Sequence, residues 1–111
     1  MRRYILILII LIFLVSCSNK NSAPEDKVGD KTIEISNFVF SQEELTLKVG
    51  DTVTWINKDN VKHTVTSDSG NELASEILSN QKSYSHTFNS PGEYTYHCSL
   101  HPNMKAKVIV Q

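Results

Sequence analysis

The sequence predicts an all-β domain, a small antiparallel β-sandwich or barrel. Apolar and polar residues alternate from Thr32 onward, as where Leu45, Leu47 and Val49 enclose Thr46 and Lys48. A period of two sends successive side chains to opposite faces of a strand. Turn-forming clusters separate the alternating runs, among them Gly50-Asp51 and "NSPGE", Asn89 to Glu93, so the strands are short and evenly spaced. Helical periodicity is scarce: "ELASEIL", Glu72 to Leu78, is the one stretch suited to a short helical turn. Short strands at regular spacing with turns between them are the pattern of a sandwich or barrel.

Taken in order, the chain begins with Arg2-Arg3, an apolar run from Ile5 to Val15, and Ser16-Cys17. A positive start ahead of a short apolar run is the make-up of a secretory signal peptide. Crossing a bilayer as a helix takes roughly 20 apolar residues, and this run is shorter. Leu14-Val15-Ser16-Cys17 resembles a bacterial lipobox. That resemblance implies that residues 1–16 are a lipoprotein signal peptide and that Cys17 is acylated. It also implies an exported protein, lipid-anchored on the outer face of the cytoplasmic membrane or in the periplasm and cell envelope. The competing reading is a Cys17–Cys98 disulfide in an oxidising compartment, which would tie the core to a segment that should be cleaved or flexible.

The stretch "SNKNSAPEDKVGDK", Ser18 to Lys31, is polar and contains Pro24 and Gly29. Too little apolar surface is available there to offset the entropy of ordering, so residues 17–31 read as a lipidated start followed by a flexible tether. The folded domain is expected over residues 32–111, long enough for one modest core. Without residues 1–16 the chain loses only Arg2 and Arg3 among its charges and is mildly acidic. A nucleic-acid partner would call for a basic field, so none is expected.

Within the domain, Ile33 and Ile35 suggest an opening strand. Leu45 to Val49, the turn Gly50-Asp51, and Val53 with Trp55 read as strand, turn, strand. His63 to Thr66 suggests another strand, and "YSHTF", Tyr84 to Phe88, with "YTYHC", Tyr94 to Cys98, reads as a hairpin. Strand parity puts Cys98 on the same face as Tyr94 and Tyr96, and Met104 on the same face as Ala106, Val108 and Val110. Both sulfurs therefore point to the core, while Thr95, His97, Lys105 and Lys107 take the other face.

The chemistry concentrates in "CSLHPNM", Cys98 to Met104, where His101 lies midway between the two sulfurs. A fourth donor must come from elsewhere, and His63, following the loop "NKDNVK", is the best candidate. Two imidazoles and a thiolate with a weak axial thioether form the donor set of blue copper electron-transfer sites. Soft sulfur suits Cu(I) and imidazole suits Cu(II), so one rigid cage can serve both states. Singly, Cys98 reads as a buried apolar cysteine, His101 as a loop residue and Met104 as core filler; the joint spacing and parity outweigh those readings. His86 is expected as a partly buried core histidine and Trp55 as core. His97 faces outward on the strand carrying Cys98 and is expected as an ordinary solvated side chain, with a second electron route through that strand as the alternative; Leu100 and Pro102 would either leave a small apolar patch beside His101 or simply shape the turn.

Cys98-x-x-His101-x-x-Met104 with upstream His63, "VTWIN" (Val53 to Asn57) and "PGEYTYHC" (Pro91 to Cys98) resembles the cupredoxins, the small blue copper proteins, with a spacing closest to the amicyanins, the plastocyanins having more residues between the last His and the Met. The resemblance covers nearly all of residues 32–111. It implies a Greek-key β-sandwich, one type 1 copper ion, and His63, Cys98, His101 and Met104 as its ligands. Many members carry Asn directly after the first ligand histidine, where it braces the ligand loops and the cysteine sulfur; this chain has Thr64, whose hydroxyl can still make such a hydrogen bond, so the resemblance leaves the reduction potential open.

The function implied is a monomeric one-electron carrier that cycles copper between Cu(II) and Cu(I), between a redox donor and acceptor protein at a membrane surface. No substrate is transformed. Copper storage or delivery is the alternative, against which full Cys/His/Met ligation argues. A nitrite reductase needs a second copper site and a binuclear copper centre needs paired bridging cysteines, whereas Cys98 alone serves the domain. Structural zinc would be satisfied by Cys and His but leaves Met104 without a use.

Overall fold

The structure is a computed structural model and describes residues 29–111. Signal peptide, lipobox and Cys17 lie outside the described residues, as does most of the tether. Eight strands follow: β1 (Asp30–Ser36), β2 (Val39–Phe40), β3 (Glu44–Leu47), β4 (Thr52–Asn57), β5 (Thr66–Ser67), β6 (Ser83–Thr87), β7 (Gly92–Cys98) and β8 (His101–Val110). The domain thus begins at Asp30, two residues before the expected boundary, because Asp30 and Lys31 already pair with Thr52 and Val53 of β4.

Two four-stranded sheets form, in the orders β2-β1-β4-β6 and β3-β8-β7-β5. The all-β sandwich is as expected, but its sheets are mixed. β1 runs parallel to β4, and β3 parallel to β8, while β4–β6 and β7–β8 are antiparallel. Two pairs read as sequence neighbours therefore separate. β3 and β4 flank the Gly50 turn but lie in different sheets, and so do β6 and β7, so Tyr84 to Cys98 is a crossing between sheets and no hairpin. Turn chemistry announces a reversal; which sheet receives the next strand depends on partners distant in sequence.

Residues 72–78 form no helical turn. Leu73 and Leu78 are buried, and two isolated bridges hold the segment, Leu78 opposite His63 and Ala74 opposite Thr66. With only two apolar anchors, this segment gains more from pairing with the His63 strand than from a helix too short to propagate. The expected strand at His63 to Thr66 is correspondingly reduced to a bridge at His63 and the short β5.

The core fills the space between the sheets. Ile33, Ile35, Val53, Trp55, Phe88, Tyr96, Cys98 and Val108 are fully buried, and each large apolar side chain among them contributes about 1.5–3 kcal/mol by leaving water. Trp55 is the centre: its ring lies edge-on to Tyr96 at 5.6 Å and its Nε1–H donates to the Tyr96 hydroxyl at 3.1 Å. Burial pushes the Tyr96 phenol up to about 12, the Trp55 hydrogen bond opposing, so it stays neutral. His86 is partly buried, edge-on to Phe88 and paired with Glu72 at 2.7 Å.

The sandwich has two distinct ends. β1 starts beside Thr52, whose N–H donates to Gly29 O at 2.6 Å, and climbs to Asn37 and Phe38. At that far end lie the last residues of β4 and β7 and the first of β8.

Candidate metal centre

Strand β7 ends at Cys98 and β8 begins at His101, with Ser99-Leu100 as a two-residue turn. Cys98 and His101 are register partners across this hairpin, after a shift in pairing between His97 and Cys98. His101, expected on a loop, is thus the first residue of a strand and directly opposite the thiol. Parity along β8 then buries Met104, Ala106, Val108 and Val110 and leaves Lys105 exposed. Inward placement of Cys98, with no solvent exposure, and of Met104 is as the alternation indicates. Cys98 is a free thiol.

His63 arrives from the loop after β4, which Asn57 organises. Its buried side chain donates from Nδ2 to Val61 O at 2.9 Å and to Leu78 O at 2.8 Å, and its Oδ1 accepts from the Asp59 N–H at 2.8 Å. Every polar atom of that side chain is used, so the loop is tied to the Leu78 segment and to itself by satisfied buried hydrogen bonds. The result is a fully buried His63 whose Nδ1 stands 3.6 Å from Cys98 Sγ. Thr64 adds two braces. Its backbone N–H donates to Cys98 Sγ at 3.3 Å, and its hydroxyl accepts from the Ser99 N–H at 2.8 Å while lying 2.9 Å from the Ser99 and Thr66 hydroxyls.

The His101 ring is 5.1 Å from that of His63, centroid to centroid. It borders a surface depression that it shares with Phe38, Leu100, Pro102, Asn103 and Met104. Leu100 is 45% exposed and Phe38 47%, so the expected apolar patch is present and is larger by one aromatic ring. Among the described residues no three His, Cys, Asp or Glu side chains are gathered tightly enough to hold a metal ion. His63 and Cys98 approach one another, while His101 and the thioether of Met104 stand alongside. The donor set nonetheless fits copper chemically: a buried thiol facing an imidazole nitrogen, a second imidazole near the surface, and a buried thioether suit a metal that takes both nitrogen and soft sulfur.

Two residues that the sequence did not bring forward shape this end. Phe38 meets both imidazoles edge-on, at 5.5 Å from His63 and 5.0 Å from His101. It and Asn37 have positive φ, 60° and 53°, a conformation that costs a non-glycine residue about 1–3 kcal/mol and that Asn bears more easily than Phe. Asp59, 13% exposed, lies 2.8 Å from His63 Nε2. Burial raises its carboxyl's proton affinity, but the N–H groups of Phe38 and Asn37 and the His63 ring outweigh this and hold it below the ordinary carboxylate range. Asp59 four residues before His63 is a visible spacing; its link to Asn37 and Phe38 is not.

His97 points away from the site, paired through Nδ1 with Asp68 at 2.6 Å.

The sequence profile of the cupredoxin-like domain family matches residues 5–110. Amicyanin of Paracoccus denitrificans is 37% identical over 94 residues, covering 81% of this chain and 72% of its own length. Plastocyanin of Scenedesmus fuscus is 35% identical over 87 residues, covering 67% of this chain and 88% of its own. Among solved structures, a reduced Cu(I) form at pH 4 of an amicyanin point mutant superposes with a TM-score of 0.69 at 38% identity, over 75% of this chain and 83% of that one.

Proposed function

This chain belongs to the cupredoxin-like domain family, and from that premise we propose that it is a blue copper protein that carries single electrons between two redox proteins, with His63, Cys98, His101 and Met104 as the copper ligands. The observation that carries this reading is the Cys98–His101 pairing. One hairpin presents a buried thiol and an imidazole opposite each other, with His63 Nδ1 3.6 Å from the sulfur.

Bound copper supplies one-electron exchange between Cu(II) and Cu(I). The chain's own residues do the rest. His63 is locked from behind by Asp59 and by the Asn57 network, so its ring has little freedom to move when charge changes. The Thr64 N–H withdraws charge from the Cys98 sulfur, which favours the reduced state. Leu100, Pro102 and Phe38 surround the reachable edge of His101 with apolar surface, where a partner can approach closely without stripping water from charged groups. Contact of that kind suits a transient encounter of a monomer with its donor and acceptor. Anchoring by an acylated Cys17, on the outer side of a membrane, would confine those encounters to two dimensions.

The test is to load the purified full-length chain with cupric salt and record its visible spectrum through reduction and reoxidation. An intense blue band that bleaches and returns supports the proposal. A colourless protein, or one that gives up its copper to a chelator faster than it exchanges electrons, would overturn it, the latter in favour of copper delivery.

A further inference from the structure

Asp59 gathers three donors from two segments far apart in sequence. Its Oδ1 accepts from the Asn37 N–H at 2.7 Å, its Oδ2 from the Phe38 N–H at 3.1 Å, and the same Oδ2 lies 2.8 Å from His63 Nε2. An ionised carboxylate can only accept. A neutral His63 imidazole must therefore carry its proton on Nε2, which leaves the lone pair on Nδ1, the nitrogen facing Cys98. The two amides that complete the grip belong to Asn37 and Phe38, the pair with left-handed φ. Such a turn persists when its surroundings over-determine it, and here it delivers the Phe38 ring to the edges of both imidazoles.

We propose that Asp59 is a positioning residue for the copper site: one carboxylate sets the tautomer of His63 and, through the Asn37 and Phe38 amides, holds the Phe38 ring over the edges of His63 and His101. The inference rests on the copper reading for its functional meaning and on these contacts alone for its geometry. A ligand imidazole whose far N–H is bonded to a carboxylate is a more basic donor. Asp59 thereby favours Cu(II) over Cu(I) and lowers the reduction potential, in opposition to the Thr64 N–H on the sulfur.

The experiment is a series on the full-length chain: wild type, Asp59→Asn, Asp59→Ala and Asp59→Glu. Long-range 1H–15N spectra of the metal-free proteins report which nitrogen of His63 is protonated, and voltammetry of the copper-loaded proteins reports the potential. Wild type should show Nε2–H. Asp59→Ala should give a mixture of tautomers and a roughly tenfold loss of Cu(II) affinity relative to Cu(I), which raises the potential by about 59 mV. Asp59→Asn keeps an accepting oxygen without the charge, so its tautomer should hold and its potential fall between the two; Asp59→Glu should move back toward wild type.

A wild-type His63 protonated on Nδ1 would overturn the proposal whatever the variants do. So would Asp59→Ala with an unchanged tautomer and potential, even at a lower melting temperature, the result of a purely structural role. A switched tautomer with an unchanged potential would remove the tuning. If the tautomers respond as expected but no variant nor wild type binds copper, the Asp59 grip stands and the copper reading fails.

Discussion

The backbone N–H of Thr64 donates to Cys98 Sγ at 3.3 Å, joining the segment that carries one proposed ligand to the thiol that is another. Because the donor is main chain, the bond survives a change of side chain at this position. The hydroxyl does separate work, accepting from the Ser99 N–H and contacting Ser99 and Thr66. Thr64→Val should therefore keep the blue absorption while leaving the Ser99 N–H without its acceptor, at about 1–3 kcal/mol of stability. Denaturant unfolding followed beside the visible spectrum checks both halves; loss of colour with no loss of stability would contradict them.

Met104 lies on the inward face of β8, buried beside the hairpin. An axial donor tunes a copper site more than it holds it. Met104→Gln should retain copper and lower the potential, since an amide oxygen is a harder donor that prefers Cu(II); a tenfold change in relative affinity corresponds to about 59 mV. Metal analysis with voltammetry decides, and complete loss of copper would show that the thioether is a principal ligand.

Trp55→Phe removes the indole that donates to the buried Tyr96 hydroxyl. The phenol then loses its donor where water cannot replace it, and the smaller ring leaves a void beside Tyr96 and Tyr84. A loss of about 1–3 kcal/mol is expected from the orphaned hydroxyl, with more from the void. The denaturation midpoint should fall while the copper band stays.

Asp68 should make stability depend on acid. Burial raises the proton affinity of its carboxyl, but hydrogen bonds from His97 and Thr95 and the charges of His97 and Lys105 prevail and hold it below the ordinary carboxylate range. A carboxylate depressed in the folded state adds stability that is complete above its unfolded value and is lost as pH falls through the lower folded one. The melting temperature should therefore decline below about pH 4, and the decline should be shallower in Asp68→Asn. Parallel melting curves for the two proteins would refute the assignment.

Much of this was legible in the sequence, and the reason is periodicity. Alternation along Tyr94 to Cys98 and Met104 to Val110 placed both sulfurs inward, and the structure has them there. The three-residue spacings around His101 mark out the proposed ligands of one end, and the structure brings Cys98 and His101 opposite each other there. What could not be read was pairing at a distance. Tyr84 to Cys98 carries a turn signal that would serve a hairpin equally well, and only the competition between β4 and β8 for partners sends its two strands to different sheets. Asp59 was hidden for the same reason. Its meaning depends on two amides twenty-one and twenty-two residues earlier, held in a turn that the pattern of Ser36 to Phe40 does not disclose.

The chain enters the sandwich at Gly29, beside Thr52, while His101 and its apolar surround occupy the other extremity, the length of β1 away. At about 3.3 Å per residue that strand sets some 20 Å between Gly29 and the end that carries His101. Were the leading end fastened as proposed, whether to a lipid leaflet or to an electrode, the His101 end would be the part of the domain farthest from the fastening and so the most open to whatever diffuses past.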